Sequence, residues 1–99
     1  MIKLEKENFD EIISEEKVLV DFYADWCGPC RMLLPVLEEV SSEGVIKIVK
    51  VNVDEHEDIA RKYGVMTIPT LILFGNKEEL KRNVGYLNHD EVISFIENN

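Results

Sequence analysis

One short apolar run constrains the fold of this chain more than any other feature. Residues 18–23 read Val-Leu-Val-Asp-Phe-Tyr, and so short a run of mostly β-branched and aromatic residues predicts a central strand buried on both faces. Cys27 and Cys30 follow directly, and apolar side chains then recur at the spacing of one helix face, at Leu33, Val36, Leu37 and Val40. The sequence therefore places two thiols between a buried strand and a helix.

The segment before this run predicts a strand and then a helix. Ile2 and Leu4 alternate with polar residues, which is typical of a short strand. Asn8, with Glu11 three residues later, predicts a capping box at the start of a helix. The apolar residues that this helix would turn inward are Phe9, Ile12 and Ile13.

The segment after the cysteines continues the alternation. Pro35 lies inside the helical pattern and predicts one kinked helix rather than two helices. Residues 45–53 are rich in Val and Ile and predict a second strand. Asp54 is expected to cap a short helix, and Gly64 is expected to end it.

The last third of the chain predicts two strands and a helix. Residues 70–74 form a strong strand pattern, residues 75–77 supply a turn, and residues 80–84 form a more polar pattern suited to a sheet edge. Asn88 and Glu91 predict a second capping box, which opens the final helix.

The order of these elements, β-α-β-α-β-α-β-β-α, predicts an α/β fold with one domain over residues 1–99. Helical crossovers imply parallel strands in the first part, and the short turn implies a terminal antiparallel hairpin. We therefore expect a mixed central β-sheet with helices on both faces.

Composition excludes several classes of function. Asp and Glu number 20 against 11 Lys and Arg, for a net charge of −9, and a surface this acidic disfavours binding to nucleic acid. Residues 1–7 become charged before a targeting segment could form, and no apolar run approaches the length that spans a membrane. We expect a cytoplasmic protein without a membrane partner.

The two cysteines are the only ones in the chain, so they cannot by themselves form a four-thiolate metal site. Pro29 suits the first position of a helix, which would place Cys27 at the helix mouth, where the dipole stabilises a thiolate. We expect Cys27 to be the nucleophile, and Cys30, one turn further in, to be the resolving thiol. The alternative is half of a zinc site that His56 or His89 would complete, but both histidines are remote in sequence and resemble surface residues, so we expect no metal.

Two charged residues interrupt apolar strand patterns. Asp21 is either a buried carboxylate of raised pKa, able to relay a proton near the cysteines, or a strand-end residue that points to solvent. Lys50 shares a strand face with Ile46 and Ile48, so it either extends to the strand edge or pairs with a buried acid. Asp21 is the partner to expect if the two strands are neighbours.

Two residues near the cysteines are ambiguous from physics alone. Pro69 precedes a strand, and base rates for such bonds favour the trans form. Trp26 could belong to the core or to the rim of the site, and its place beside a thiol favours docking at the surface.

Together these residues resemble the thioredoxin family over nearly the whole chain. The Trp-Cys-Gly-Pro-Cys block is the most specific part of the match, and the other segments follow in the family's order and approximate spacing. The matching segments are residues 20–30, Pro35, residues 50–54, 63–65 and 68–70, and residues 84–85.

The resemblance implies roles for individual residues. Cys27 would attack a target disulfide and Cys30 would release the product, while Asp21, with Lys50 nearby, would tune and deprotonate the Cys30 thiol. Pro69 would follow a cis bond, lie against the cysteines, block metal access and let the Thr67 backbone pair with an extended substrate. A flat docking groove would consist of Trp26, Gly28, Pro29, Thr67, Ile68 and Gly85.

The resemblance also implies an activity and a partner. The chain would be a protein-disulfide reductase and dithiol electron carrier, monomeric, serving cell redox homeostasis. It would need no bound cofactor besides a reversible Cys27–Cys30 disulfide, and a thioredoxin reductase would recharge it. Its substrates would be disulfide-containing proteins.

Three residues depart from the family's commonest pattern, namely Tyr23, Thr67 and Tyr86. Tyr23 adds a hydroxyl where tryptophan is frequent, and the other two add bulk to the groove, which leaves open a dedicated donor to one reductase system. A non-enzymatic binding subunit is the rival from another class. The cysteines, with Asp21 and Lys50, argue against it because a pure scaffold does not need them.

Overall fold

Five strands form one mixed sheet in the computed structural model, which describes residues 1–98. The strands are β1 Ile2–Lys3, β2 Val18–Tyr23, β3 Lys47–Asn52, β4 Thr70–Gly75 and β5 Glu78–Val84. The helices are α1 Phe9–Ile12, α2 Gly28–Ser42, α3 Glu57–Lys62 and α4 His89–Glu97. This order of elements confirms the α/β prediction.

The sheet has the strand order β1-β3-β2-β4-β5. Strand β2 pairs parallel with β3 and antiparallel with β4, while β1 is parallel to β3 and β5 is antiparallel to β4. Every residue of β2 and β4 is buried, as the continuous apolar runs predict. Strand β5 is one of the two edge strands, and its charged residues are Glu78, Glu79, Lys81 and Arg82.

Helices cover both faces of the sheet, and each face has its own core. On one face, residues of α1 and α3 pack with the aromatic rings of Phe9, Phe22 and Phe74. On the other, α2 and α4 contribute a purely aliphatic set of buried side chains, namely Leu33, Leu37, Val40, Val92 and Ile96. Successive side chains of a strand point to opposite faces, so β2 contributes to both cores.

Two of the three helix starts that capping residues predict agree with the structure. Asn88 and Glu91 form the complete capping box at α4. At α1, the Asn8 side chain accepts the hydrogen bond of the Glu11 N–H at 3.2 Å, which is the capping half of the predicted box. The prediction that Asp54 caps α3 is wrong, because the N-cap residue is His56.

The loop before α3 explains that error. The Asp54 carboxylate accepts a hydrogen bond from Trp26 Nε1 at 2.8 Å, and its backbone N–H donates to Asn52 Oδ1 at 2.9 Å. Both groups of Asp54 are therefore engaged elsewhere, and Asp54 lies two residues before the N-cap of α3. Gly64 does end the helix, and its φ of +65° is a conformation that glycine adopts without strain.

Helix α2 continues as one helix through Pro35, as predicted. The β4–β5 hairpin turns on Asn76 and Lys77, whose φ angles of 52° and 74° correspond to a two-residue turn of type I′. Within residues 1–98, no helix has both the length and the apolar character needed to cross a membrane.

Candidate active site

The two cysteines lie where β2 gives way to α2. Cys27 is the N-cap of α2 and has an extended backbone, and its Sγ accepts a hydrogen bond from the Cys30 N–H at 3.2 Å. Pro29 is the second helical residue rather than the first, since Gly28 begins the helix. It still lies in the first turn, where its missing N–H costs no helical hydrogen bond.

Cys27 and Cys30 are joined by a disulfide bond. The expectation that Cys30 lies deeper is not met, because each cysteine is 5% exposed. Ile68 packs against the small cluster that contains both cysteines, which reduces the exposure of Cys27.

The cysteines differ in their neighbours instead. Cys27 Sγ lies 3.8 Å from the Ile68 carbonyl oxygen, and the Ile68–Pro69 peptide bond is cis. Cys30 lines a cavity of about 250 Å³ together with Asp21 and Lys50. The Cys27 sulfur therefore contacts a surface loop, whereas Cys30 borders a cavity that Asp21 also lines.

Asp21 is a buried carboxylate and not a strand-end residue that points to solvent. It is 1% exposed, and its Oδ1 atom has no hydrogen-bond partner within the described chain. Burial raises the pKa of Asp21 to about 7, against the opposing effect of the Lys50 charge. A carboxyl with this pKa exchanges a proton easily at neutral pH.

Lys50 is the direct neighbour of Asp21 across the parallel β2–β3 pair. No ion pair joins the two side chains among residues 1–98, however. The Lys50 ammonium lies over the ring of Tyr23, with Nζ 4.3 Å from the ring centroid. Lys50 therefore acts on Asp21 through space and not through a salt bridge.

The residues expected to form a docking groove come from three segments of the chain, and the loop at Pro69 contacts Cys27 and Gly85. Pro69 is buried, Thr67 is exposed and Ile68 is half-buried. The Gly85 N–H donates to the Pro69 carbonyl at 2.8 Å, and the φ of Gly85 is +104°, which favours glycine. Gly28 is half-buried and Pro29 is exposed at the start of α2.

Trp26 lies at the surface, with 69% of its area exposed. Its hydrogen bond to Asp54 fixes the indole without burying it. Trp26 therefore lies at the rim of the site and not in the core, and an aromatic ring held at the surface can contact another molecule.

Sequence reasoning missed two residues at this site. Arg31 lines the Asp21 cavity, and its Nη1 donates to the Asp25 carbonyl at 2.8 Å. Met66, next to the groove, is 95% exposed. The position of Arg31 directly after Cys30 was the available signal, whereas nothing in the local pattern distinguishes Met66 from a core methionine.

The histidines do not belong to this site. His56 Nε2 lies 3.0 Å from the Leu4 carbonyl, and His89 Nε2 lies 2.9 Å from the Glu43 carboxylate. The pKa of His89 is raised because its protonated ring can donate hydrogen bonds to the carboxylates of Glu43 and Asp90. Within the described residues, the cluster that brings three potential metal donors together is Glu39, Glu43 and His89, which includes neither cysteine.

Known proteins with similar sequences and structures agree with this geometry. The family model described as Thioredoxin matches residues 1–98. Thioredoxin of Chlamydia caviae is 50% identical over 91 residues, which cover 91% of this chain and 89% of that protein. Thioredoxin of Bacillus subtilis is 47% identical over 88 residues, covering 87% and 85%.

A solved structure also matches. A point mutant of thioredoxin from Halobacterium salinarum NRC-1 has a TM-score of 0.89 and 39% sequence identity. The alignment covers 98% of this chain and 87% of that one.

Proposed function

The chain belongs to the thioredoxin family, whose members are thiol–disulfide oxidoreductases, and on that premise we propose that it is a protein-disulfide reductase. It would carry two electrons as the dithiol of Cys27 and Cys30. The observation that carries this proposal is the asymmetric placement of the pair, with Cys27 against an accessible loop and Cys30 beside the Asp21 cavity.

Cys27 is the proposed nucleophile. The N–H of Cys30 points at its sulfur from the first turn of α2, and both this hydrogen bond and the helix dipole favour the thiolate. The thiolate attacks one sulfur of a target disulfide. A bond forms between Cys27 Sγ and that sulfur, the target S–S bond breaks, and the departing target sulfur takes up a proton.

Cys30 is the proposed resolving thiol. Its proton passes to Asp21, which has an unpaired oxygen and lines the same cavity as Cys30. The Cys30 thiolate then attacks Cys27 Sγ, so that the Cys27–Cys30 bond forms and the mixed disulfide breaks. The second target sulfur leaves as a thiolate and is protonated. The target has gained two electrons, and the chain ends in the disulfide form described above.

The residues around Pro69 are the proposed substrate groove. Thr67, which is exposed, would pair its backbone with an extended segment of the target, and Trp26 would offer an exposed ring beside Cys27. Gly28, Pro29, Ile68 and Gly85 would form the rest of the surface. Pro69 lacks an N–H and is buried against this loop, so it would shape the groove without binding substrate by a hydrogen bond.

The electrons must be replenished, since each turnover consumes one dithiol. A thioredoxin reductase is the proposed donor, returning two electrons and two protons to the disulfide. The proposed setting is the cytoplasm, with the chain acting as a monomer in cell redox homeostasis. No bound cofactor takes part in either exchange step, because the sulfur atoms themselves carry the electrons.

A dedicated donor to one reductase system is the second candidate. Thr67 stands in the groove where the family commonly has a smaller residue, and Met66 and Tyr86 beside it are 95% and 44% exposed. Three bulky or apolar side chains on one rim would favour a partner with a matching surface over unrelated targets.

Two cysteine variants test the proposal. Reduction of insulin disulfides with dithiothreitol as electron source should be rapid for the wild type and lost in Cys27→Ser. A wild type that fails to accelerate the reaction, or a variant that matches it, would contradict the reductase function.

The Cys30→Ser variant separates the two candidates. It should hold targets on Cys27 as stable mixed disulfides, because the resolving thiol is gone. Many unrelated captured proteins would support a general reductant, and one dominant protein would support the dedicated donor. The double variant, Cys27→Ser with Cys30→Ser, is the control that should capture none.

A further inference from the structure

We propose that Tyr23 is a positioning residue whose aromatic ring holds the Lys50 ammonium away from Asp21, leaving the Asp21 carboxylate free to take the Cys30 proton. The role of Tyr23 rests on the function proposed above, since it assigns a part in the resolving step. It also gives a physical meaning to a tyrosine that departs from the family's commonest residue.

The backbone alone would favour an ion pair between Lys50 and Asp21. The two residues are directly opposite on parallel strands, so their side chains emerge on the same face. A lysine in this position ordinarily reaches a buried carboxylate, because an unpaired buried charge is costly. In this structure Lys50 Nζ instead lies 4.3 Å from the Tyr23 ring centroid.

Tyr23 is placed to compete for the ammonium. It lies two residues after Asp21 on β2 and therefore on the same face of the sheet. Its side chain is only 7% exposed, and attraction between a cation and an aromatic face strengthens when water is excluded. The ring thus offers Lys50 a favourable place at the border of the cavity.

The consequence falls on Asp21. Its Oδ1 atom has no hydrogen-bond partner within residues 1–98, and Asp21 lines the cavity that Cys30 also lines. A carboxylate in a direct ion pair would hold its proton more weakly and accept one from a thiol less readily. With Lys50 on the ring, the lysine charge still acts on Asp21 but does not occupy its oxygen.

The other charged groups near Asp21 come from α2, from the loop after β2 and from the region around the Tyr23 hydroxyl. Arg31, from α2, donates to the Asp25 carbonyl, and Asp25 itself lines the cavity from the loop after β2. From β4 the residue opposite Asp21 is Leu71, which carries no charge. Lys3 and Glu55 act on the Tyr23 hydroxyl and form an ion pair with each other at 3.3 Å.

The proposal is tested by measuring the pKa of Asp21. The titration is monitored by ¹³C NMR of the Asp21 carboxyl carbon in the oxidised protein. Neither cysteine titrates in that form, so the curve is free of thiol ionisation. In Tyr23→Leu the freed ammonium should pair with Asp21 and lower the pKa of Asp21 by about one or more. In Tyr23→Phe, which keeps the ring and loses only the hydroxyl, the pKa should stay at the wild-type value.

The smaller leucine side chain could also lower the pKa of Asp21 merely by admitting water. Making the same substitution in a Lys50→Met variant distinguishes this effect from the release of the ammonium. Lys50→Met alone should raise the pKa of Asp21, because a nearby positive charge is lost. Adding Tyr23→Leu to Lys50→Met should then change nothing further, since there is no ammonium to release. An equal fall of the pKa in both backgrounds would overturn the proposal and leave Tyr23 a purely structural residue.

The wild type supplies a measurement that does not depend on the folding of any variant. Methylene protons of Lys50 next to Nζ should resonate upfield of those of exposed lysines, because they lie over the Tyr23 ring. Resonances at the ordinary position would contradict the proposal. Neither NMR measurement requires turnover. A chain inactive on insulin would therefore refute the reductase function, while the NMR results would still decide whether the Tyr23 ring holds the Lys50 ammonium.

Discussion

The two faces of strand β2 show how one segment serves two purposes. Toward α1 and α3 it presents Val20 and Phe22, which lie in an apolar core of edge-packed aromatic rings. Toward α2 it presents Asp21 and Tyr23, which border a cavity of about 250 Å³. The first face gains stability from close packing, whereas the second retains an acid that burial penalises. The difference teaches that the reactive groups of β2 lie on one face only, which also carries its own aliphatic core.

Truncating Phe22 should have the largest effect on stability. Phe22 is fully buried among aromatic neighbours, with its ring centroid 6.5 Å from that of Phe9. We expect Phe22→Ala to lower the free energy of unfolding by about 3–5 kcal/mol, measured by urea denaturation. Insulin reduction per folded molecule should persist, and a loss of activity in fully folded protein would break the division between the faces.

Asp21 should destabilise the fold in a pH-dependent way. Its pKa is raised from 3.8 to about 7 in the folded protein, so the unfolded chain binds fewer protons between these values and stability falls as pH rises through that window. The loss amounts to something on the order of 4 kcal/mol above pH 7, at about 1.4 kcal/mol for each pH unit.

The check is urea denaturation of wild type and Asp21→Asn from pH 4 to 8. The variant should lack this component of the pH dependence and be the more stable protein at pH 8, yet it should resolve mixed disulfides more slowly. Equal pH profiles for the two proteins would mean that Asp21 is not the penalised group. The Asp25→Asn variant, at an exposed position nearby, is the matched control.

A substitution in the β4–β5 turn tests whether the backbone is strained away from the face of β2 that carries Asp21. Lys77 has a φ of 74°, in the left-handed region that glycine adopts more readily. Lys77→Gly should therefore raise the free energy of unfolding by about 0.5–1 kcal/mol without changing activity. Lys17→Gly is the control, since Lys17 is an exposed lysine that does not have a positive φ, and it should give no gain.

The His89–Glu43 contact should give the smallest effect, because it lies at the surface. Glu43 and Asp90 raise the pKa of His89, so the contact stabilises fully below the unfolded value near 6.5 and is lost as pH rises through the folded pKa. Glu43→Gln should remove that gain in thermal unfolding at pH 5.5 and have less effect at pH 8.5. An effect that is equal at both values would exclude titration of His89 as the cause.

Local patterns in the sequence were sufficient for most of the fold. The apolar run of β2, the helical stripe of α2 and the Asn88 capping box each depend on neighbours within a few residues, so they could be predicted from the sequence. The same holds for the spacing of the two cysteines at the helix mouth. Family resemblance, rather than residue physics, suggested the cis bond at Pro69.

What sequence could not supply depended on distant partners. Asp54 has the chemistry of a helix cap, but Trp26 takes its carboxylate. Lys50 was expected either at the strand edge or paired with an acid, and it lies over an aromatic ring instead. The equal exposure of the two cysteines reflects the covering loop at Ile68, which is 38 residues beyond Cys30 in the chain. Each outcome was set by a contact that local spacing does not encode.

The charged residues of the edge strand β5 affect where an extended polypeptide can bind to the sheet. Strand β5 has unpaired backbone groups along its outer side, which an extended chain could use to add a further strand. Doing so would crowd its acidic and basic side chains, Glu78, Glu79, Lys81 and Arg82. An extended polypeptide beside β5 would therefore meet four charged side chains, whereas the nearby loop of residues 65–69, which contacts Gly85 at the end of β5, carries no charge.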